Sequence, residues 1–258
     1  MYLEKQRVDG RYAMITGGAG GIGYCTADAL CEAGAAGVAI ADLDGKRVEA
    51  AAEMLRAKGY TIEAIALDVT DSKAVTATAD RLNKDFGPVD ILIANAGIAW
   101  PDTGCEDMTD EVWQKMIDID LTSVFTSTRA FGKYMLARGK GSIVATGSMS
   151  GIISNCPQRQ AHYNAAKAGV HHFVKSVAGE WAERGVRLNA TAPGYANTPM
   201  SNVSFKDPKM GPVWMSMSPT KRMVEPEEIA SLNLFLASDA SSGMTGAVVS
   251  IDLGYTVW

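Results

Sequence analysis

The chain has 258 residues, 47% of them hydrophobic and 21% charged, with a formal net charge of −5. That mix excludes a disordered chain, and the acidic balance leaves no basic footprint for nucleic acid or an anionic membrane. No apolar run approaches the roughly 18 residues that a membrane-spanning helix needs.

The N-terminal segment Met1 to Arg7 is charged from Glu4 onward and lacks the apolar core of a signal peptide, so the expected location is cytoplasmic. Cys25, Cys31, Cys105 and Cys156 show no CxxC spacing and read as reduced thiols. The first β-type run, Tyr12 to Thr16, leads into Thr16-Gly17-Gly18-Ala19-Gly20-Gly21-Ile22-Gly23 and then a helical pattern. Glycines there let the backbone approach a pyrophosphate, and the helix start offers unpaired N–H groups to it. The second run, Val38 to Asp42, ends in a carboxylate 19 residues past Gly23, the usual offset for contact with adenosine ribose hydroxyls. Asp42 would repel a 2′-phosphate, which predicts NAD as cofactor, with NADP poorly used. Lys46 and Arg47 read as solvated residues in the first turns of the next helix, whose apolar face is Val48-Ala51-Ala52-Leu55.

Further β-type runs follow at Thr61 to Asp68, Val89 to Asn95, Ser142 to Thr146, Val186 to Ala192 and Ala247 to Asp252. Most are near-continuously apolar, as parallel strands covered on both faces are. Alternation with helical stretches such as Val170-Phe173-Val174-Val177-Trp181 predicts an α/β fold. It is a single-domain Rossmann-type doubly wound parallel sheet of about seven strands flanked by helices, spanning 1–258. The segment at about 195–220, rich in proline and methionine and without clear periodicity, reads as a substrate lid.

Tyr163 and Lys167 stand four residues apart, on one face of a helix. A phenol is a poor base at neutral pH, because its ordinary pKa is about 10, and a lysine ammonium beside it favours the phenolate. Ser148 closes the fifth run, at the carboxyl end of a strand, where open α/β sheets bind ligands. A hydroxyl there can donate to a substrate oxygen as charge develops on it.

Taken in order, these motifs resemble the short-chain dehydrogenase/reductase family, and the resemblance runs essentially end to end. Thr16-Gly17-x-x-x-Gly21-x-Gly23 matches its glycine motif, with Ile22 and Leu43 completing the cofactor cradle around Asp42. Asp68-Val69 matches its adenine contact, Asn95-Ala96-Gly97 its motif after the fourth strand, and Pro193-Gly194 with Thr198 the stretch that holds the nicotinamide carboxamide. The resemblance implies Ser148, Tyr163 and Lys167 as catalytic residues, with Tyr163 and Lys167 also touching the cofactor. One position departs: relatives carry a relay asparagine where this chain has Asp120. The aspartate reads as a tolerated stand-in in the proton relay, a cause of altered pH optimum, or a sign of impairment.

The stretch Gly147 to Asn155, then Pro157-Gln158, resembles the sugar-alcohol members of the family, as does the ending Gly254-Tyr255-Thr256-Val257-Trp258. That resemblance implies a polyol substrate contacted by Ser148, Ser150, Asn155 and Tyr163, with Gln158 and Gln160 as further candidates. His162, His171 and His172 lack ligand spacing, and no catalytic metal is expected; a structural divalent ion near the carboxyl terminus is conceivable from the resemblance alone. Trp258 and the family habit imply a homotetramer. Two alternatives stand beside the polyol dehydrogenase: a reductase of a 3-oxoacyl thioester or other ketone, and an NAD-binding sensor with a disabled relay.

Overall fold

The structure, a computed structural model, describes residues 1–100 and 102–258. Among the described residues seven strands form: β1 (Tyr12–Thr16), β2 (Gly37–Asp42), β3 (Ile62–Ala66), β4 (Val89–Ala94), β5 (Gly141–Thr146), β6 (Val186–Pro193) and β7 (Val248–Ile251). They make one parallel sheet in the order β3-β2-β1-β4-β5-β6-β7. Every predicted run becomes a strand. The third stops short because Asp68 turns the chain, its carboxylate accepting from the N–H and hydroxyl of Thr70 at 2.8 and 2.7 Å.

The apolar runs are continuous because successive side chains feed different cores. Ala13 and Ile15 of β1, with Ile91 and Ile93 of β4, pack against α1 (Gly21–Glu32), α2 (Gly45–Arg56) and α9 (Pro226–Ala237). Met14 and Leu92, one residue out of step, face α3 (Ser72–Arg81), α5 (Ser123–Arg138) and α6 (Ala161–Trp181). Caps set several helix starts: Asp44 accepts from the N–H groups of Lys46 and Arg47, and Asp71 from those of Lys73 and Ala74.

Two features lie outside this regular frame. α4 (Asp110–Ile117) continues into α5 through one wide π-type turn, Asp118–Thr122, that carries Asp120. Such turns recur at functional sites. The segment expected to be aperiodic folds into two short helices, α7 (Pro199–Phe205) and α8 (Gly211–Met217). Two of its prolines open these helices rather than break them: Pro199 follows the Thr198 cap, and Pro212 sits in the first turn of α8. No described helix is long and apolar enough to cross a membrane.

Candidate active site

A cavity of about 740 Å³ opens at the carboxyl ends of the strands, where the order reverses between β1 and β4. Its floor is the glycine turn, with Gly17, Gly21 and Ile22 exposed to it. Asp42, Leu43, Asp68 and Val69 line one end; Asn95, Ala96 and Gly97 line the middle. Asp120, Ser148, Tyr163 and Lys167 stand with Pro193, Gly194 and Thr198 at the other end. Thr16, Gly23, Ser150 and Asn155 do not line it.

The residues fit a dinucleotide. A Cβ on Gly18 would lie 2.7 Å from the Ile40 Cβ, and one on Gly23 only 2.2 Å from the Gly17 carbonyl oxygen, so backbone packs on backbone beneath the phosphate position. Thr16 works from behind: its Oγ1 accepts from the N–H groups of Asn95 and Ala96 at 3.0 and 3.1 Å. The Asn95 amide donates to the carbonyls of Thr16 and Gly17, both at 3.2 Å, and its oxygen accepts from Thr146 Oγ1 at 3.1 Å. Three strand ends are thus stitched to the glycine turn. Asp42 accepts from the Ala19 N–H at 3.3 Å, which aims its carboxylate along the cavity edge. Arg47, expected to be merely solvated, also lines the cavity, with a guanidinium nitrogen 3.8 Å from where a Gly20 Cβ would be.

At the far end of the cavity, the chain leaving β5 brings in Ser148, and α6 brings in Tyr163 and Lys167. Ser148 Oγ accepts from the Ser150 N–H at 3.1 Å, so the hydroxyl keeps its proton for a partner in the cavity. The Lys167 ammonium donates to the Thr146 carbonyl at 3.1 Å and lies 3.1 Å from Asp120 Oδ1, 5.5 Å from the centroid of the Tyr163 ring. The two contacts leave its third N–H free. Asp120 is held by the Ile98 N–H at 3.1 Å, and Gly97 makes room for it: a Cβ there would come within 2.7 Å of Asp120 Oδ1.

The electrostatics of this end are tightly linked. Burial pushes the Tyr163 phenol above its ordinary value; Lys167 and the Ser148 hydroxyl pull it down, and Asp120 pushes it up, the net direction being upward. Burial alone would lower Lys167, but Asp120 and the Tyr163 phenol outweigh it and hold the ammonium charged.

Behind the cavity lining lies a cluster that no local motif announces. Tyr195 stacks on Trp214 with centroids 3.8 Å apart at 8°, and meets Tyr255 edge-on at 5.3 Å. The Tyr195 hydroxyl accepts from the amides of Asn155 and Gln158 at 3.1 and 2.9 Å, while Trp214 Nε1 donates to Gln158 at 3.0 Å. Gln160 donates to Ser150 Oγ, Asn155 and Asn164 at 3.3, 3.1 and 3.0 Å. Gln158 and Gln160, candidates for substrate contact, are therefore occupied in tying the wall together. Sequence reasoning weighed His171 only as a metal ligand and passed over Thr146 as a site residue; their polar atoms meet the Ser148 backbone and Lys167 respectively.

Comparison with known proteins agrees with this geometry. The family described as enoyl-(acyl carrier protein) reductase matches residues 17–256. Galactitol 2-dehydrogenase of Rhizobium johnstonii is 46% identical over 260 residues, covering 100% of this chain and 99% of that one. NADP-dependent mannitol dehydrogenase of Alternaria alternata is 39% identical over 254 residues, 96% of this chain and 93% of that one. The crystal structure of gox2181 superposes with a TM-score of 0.98 at 47% identity, over 100% of both chains. With the seven-stranded sheet, the glycine turn and the Ser148, Tyr163 and Lys167 cluster, these matches identify the chain as an oxidoreductase of the short-chain dehydrogenase/reductase family.

Proposed function

We propose that the protein oxidises a secondary hydroxyl of a sugar alcohol to the ketone, reversibly, with NAD as the hydride acceptor. The observation that carries this is the Ser148 hydroxyl, which accepts from the Ser150 N–H and turns its proton toward Tyr163 in the cavity. In the oxidative direction Tyr163 takes the proton of the reacting hydroxyl and Ser148 donates to the same oxygen. Lys167 holds its charge beside the phenol and offers its free N–H to a ribose hydroxyl; Asp120 passes the proton outward in place of the relay asparagine. When bound, the nicotinamide supplies C4 as hydride acceptor. Thr16, Gly17, Gly21, Ile22, Gly23, Asp42 and Leu43 would build the cradle for it, the first and fifth from behind the wall.

The substrate class rests on the kinship with a galactitol dehydrogenase and on the polar group beside Ser148. Ser150 and Asn155, joined through Gln160, are the proposed contacts for neighbouring hydroxyls. NAD rests on Asp42; Arg47 at the cavity edge is the feature that would favour a 2′-phosphate, and a mannitol-oxidising relative is NADP-dependent. The segment at about 195–220 is proposed as a lid, since Pro199, Met200 and Ser201 of α7 line the cavity. A cytoplasmic location and a homotetramer complete the proposal; exposed Trp113, Phe125 and Trp258 offer apolar surface for assembly.

Tyr163→Phe tests the chemistry. It removes the acid–base hydroxyl while keeping the ring, so NADH binding should survive and turnover should fall by at least about 10²-fold. Turnover near wild type would remove Tyr163 from its role.

A further inference from the structure

We propose that His171 is a positioning residue: its neutral imidazole grips the backbone beneath Ser148 and fixes the direction in which that hydroxyl points. The proposal rests on the reading of Ser148 as the group that binds the reacting oxygen.

Tyr163, Lys167 and His171 follow one another at four-residue spacing and so form a single stripe along α6. The first two end in the cavity; the third ends under the turn after β5. His171 Nε2 accepts from the Ser148 N–H at 3.4 Å, and the ring is 7% exposed. Nε2 accepting makes it the bare nitrogen, so the proton sits on Nδ1.

The turn is shaped around this ring. A Cβ on Gly147 would lie 2.3 Å from Nε2, and one on Gly151 would lie 2.7 Å from Cε1. The two glycines bracketing Ser148-Met149-Ser150 are thus the space the imidazole occupies. Ser148 itself is extended (φ −169°, ψ 154°), and its Oγ caps the short helical turn Met149–Gly151 through the Ser150 N–H. Backbone held from below and Oγ held from the side leave the hydroxyl proton one open direction, toward the cavity. Protonation would destroy the grip by turning Nε2 into a donor facing a donor. Burial first, then the charges of Lys167 and Lys175 on the same helix, hold the imidazole down to about 4, so it stays an acceptor at neutral pH.

The test compares His171→Leu and His171→Gln, each alone and combined with Ser148→Ala, using the best-used polyol and NAD. His171→Leu should lower kcat about 10- to 100-fold through misplacement of Ser148. The NADH dissociation constant should move less than about twofold. His171→Gln, which restores a carbonyl acceptor, should recover most of the loss. In the Ser148→Ala background His171→Leu should cost about twofold or less, because the hydroxyl it serves is gone. A full additional loss in that background, no loss in the wild type, or a glutamine variant as poor as leucine would each overturn the proposal.

Should His171→Leu fail to fold, nitrogen NMR of imidazole-labelled wild type decides independently. A neutral ring with the proton on Nδ1 at neutral pH supports the proposal; a protonated ring or a proton on Nε2 refutes it. That measurement needs no substrate, so silence across all polyols would sink the substrate assignment while leaving the role of His171 to be judged by the spectrum.

Discussion

In the proposed mechanism Tyr163 loses a proton in a place where burial makes the phenolate costly. Lys167 offsets that cost most, with help from the Ser148 hydroxyl, and the charge of Lys167 is shared with Asp120 at 3.1 Å. Asp120 therefore works on the tyrosine twice: it raises the phenol directly and it shields the ammonium that would lower it. The prediction follows in sign. Asp120→Asn removes a negative charge, the Tyr163 pKa falls, and the alkaline rise in kcat/KM for alcohol oxidation moves to lower pH. Rate profiles of wild type and variant over the same pH range check it; a profile that stays put or moves to higher pH contradicts the electrostatic account. Both Asp120 and Lys167 are almost fully buried, so removing either partner also leaves an uncompensated charge, and the neutral amide is the informative replacement.

Residues of this kind divide by how they can be read. Thr16, Asn95 and Ser148 were nameable as candidates because each sits at or just past a strand end, and Tyr163 and Lys167 because four-residue spacing puts them on one helix face. Their division of labour was not legible. Thr16, expected among the cofactor contacts, holds the backbone just past β4 from behind. Asn155 and Tyr195 meet across 40 residues of sequence, and His171 reaches the Ser148 backbone from 23 residues away; no local spacing carries such pairs.

At the scale of elements, the strands were legible because most run apolar on both sides of the pleat, the central ones feeding two cores at once. Turn chemistry then trimmed their ends, as Asp68 does after β3. The π-type turn at Asp118–Thr122 was not legible, since one extra residue per turn leaves the apolar spacing of α4 and α5 almost unchanged. Nor were α7 and α8, whose prolines serve as helix starts. α8 is fastened to the sheet by Trp214, stacked on Tyr195 and bonded to Gln158, and by Met217, whose sulfur accepts from the Tyr255 hydroxyl at 3.3 Å. α7 carries no comparable anchor, and its Met200 and Val203 are exposed at 50% and 78%. Trp214→Leu deletes both the stack and the hydrogen bond. Through Tyr195, which it shares with the proposed polyol contact Asn155, the change should raise the polyol KM about tenfold, or roughly 1.4 kcal/mol, while NADH affinity stays near wild type. Equal damage to both affinities would show that the clamp supports the whole cavity rather than the substrate end.

For the whole molecule, the parallel order and the reversal between β1 and β4 decide where the cavity opens, and both followed from alternating strands and helices. Quaternary structure does not follow in that way, because the surface that would carry it has no periodic signal of its own. Trp258 is 82% exposed, and Trp113 and Phe125 are each 41% exposed on α4 and α5. Light scattering on the purified protein should give a mass of four chains; a single-chain mass would leave this apolar surface without the partner proposed for it. The measurement closest to the central claim is NADH formation by the purified protein over a panel of xylitol, arabitols, sorbitol, mannitol, galactitol and simple secondary alcohols, with NAD and NADP in parallel. Turnover of one or two polyols with NAD, rising toward alkaline pH, is the predicted result. No turnover of any polyol, with NADPH-dependent reduction of an acyl thioester or other ketone instead, would contradict it.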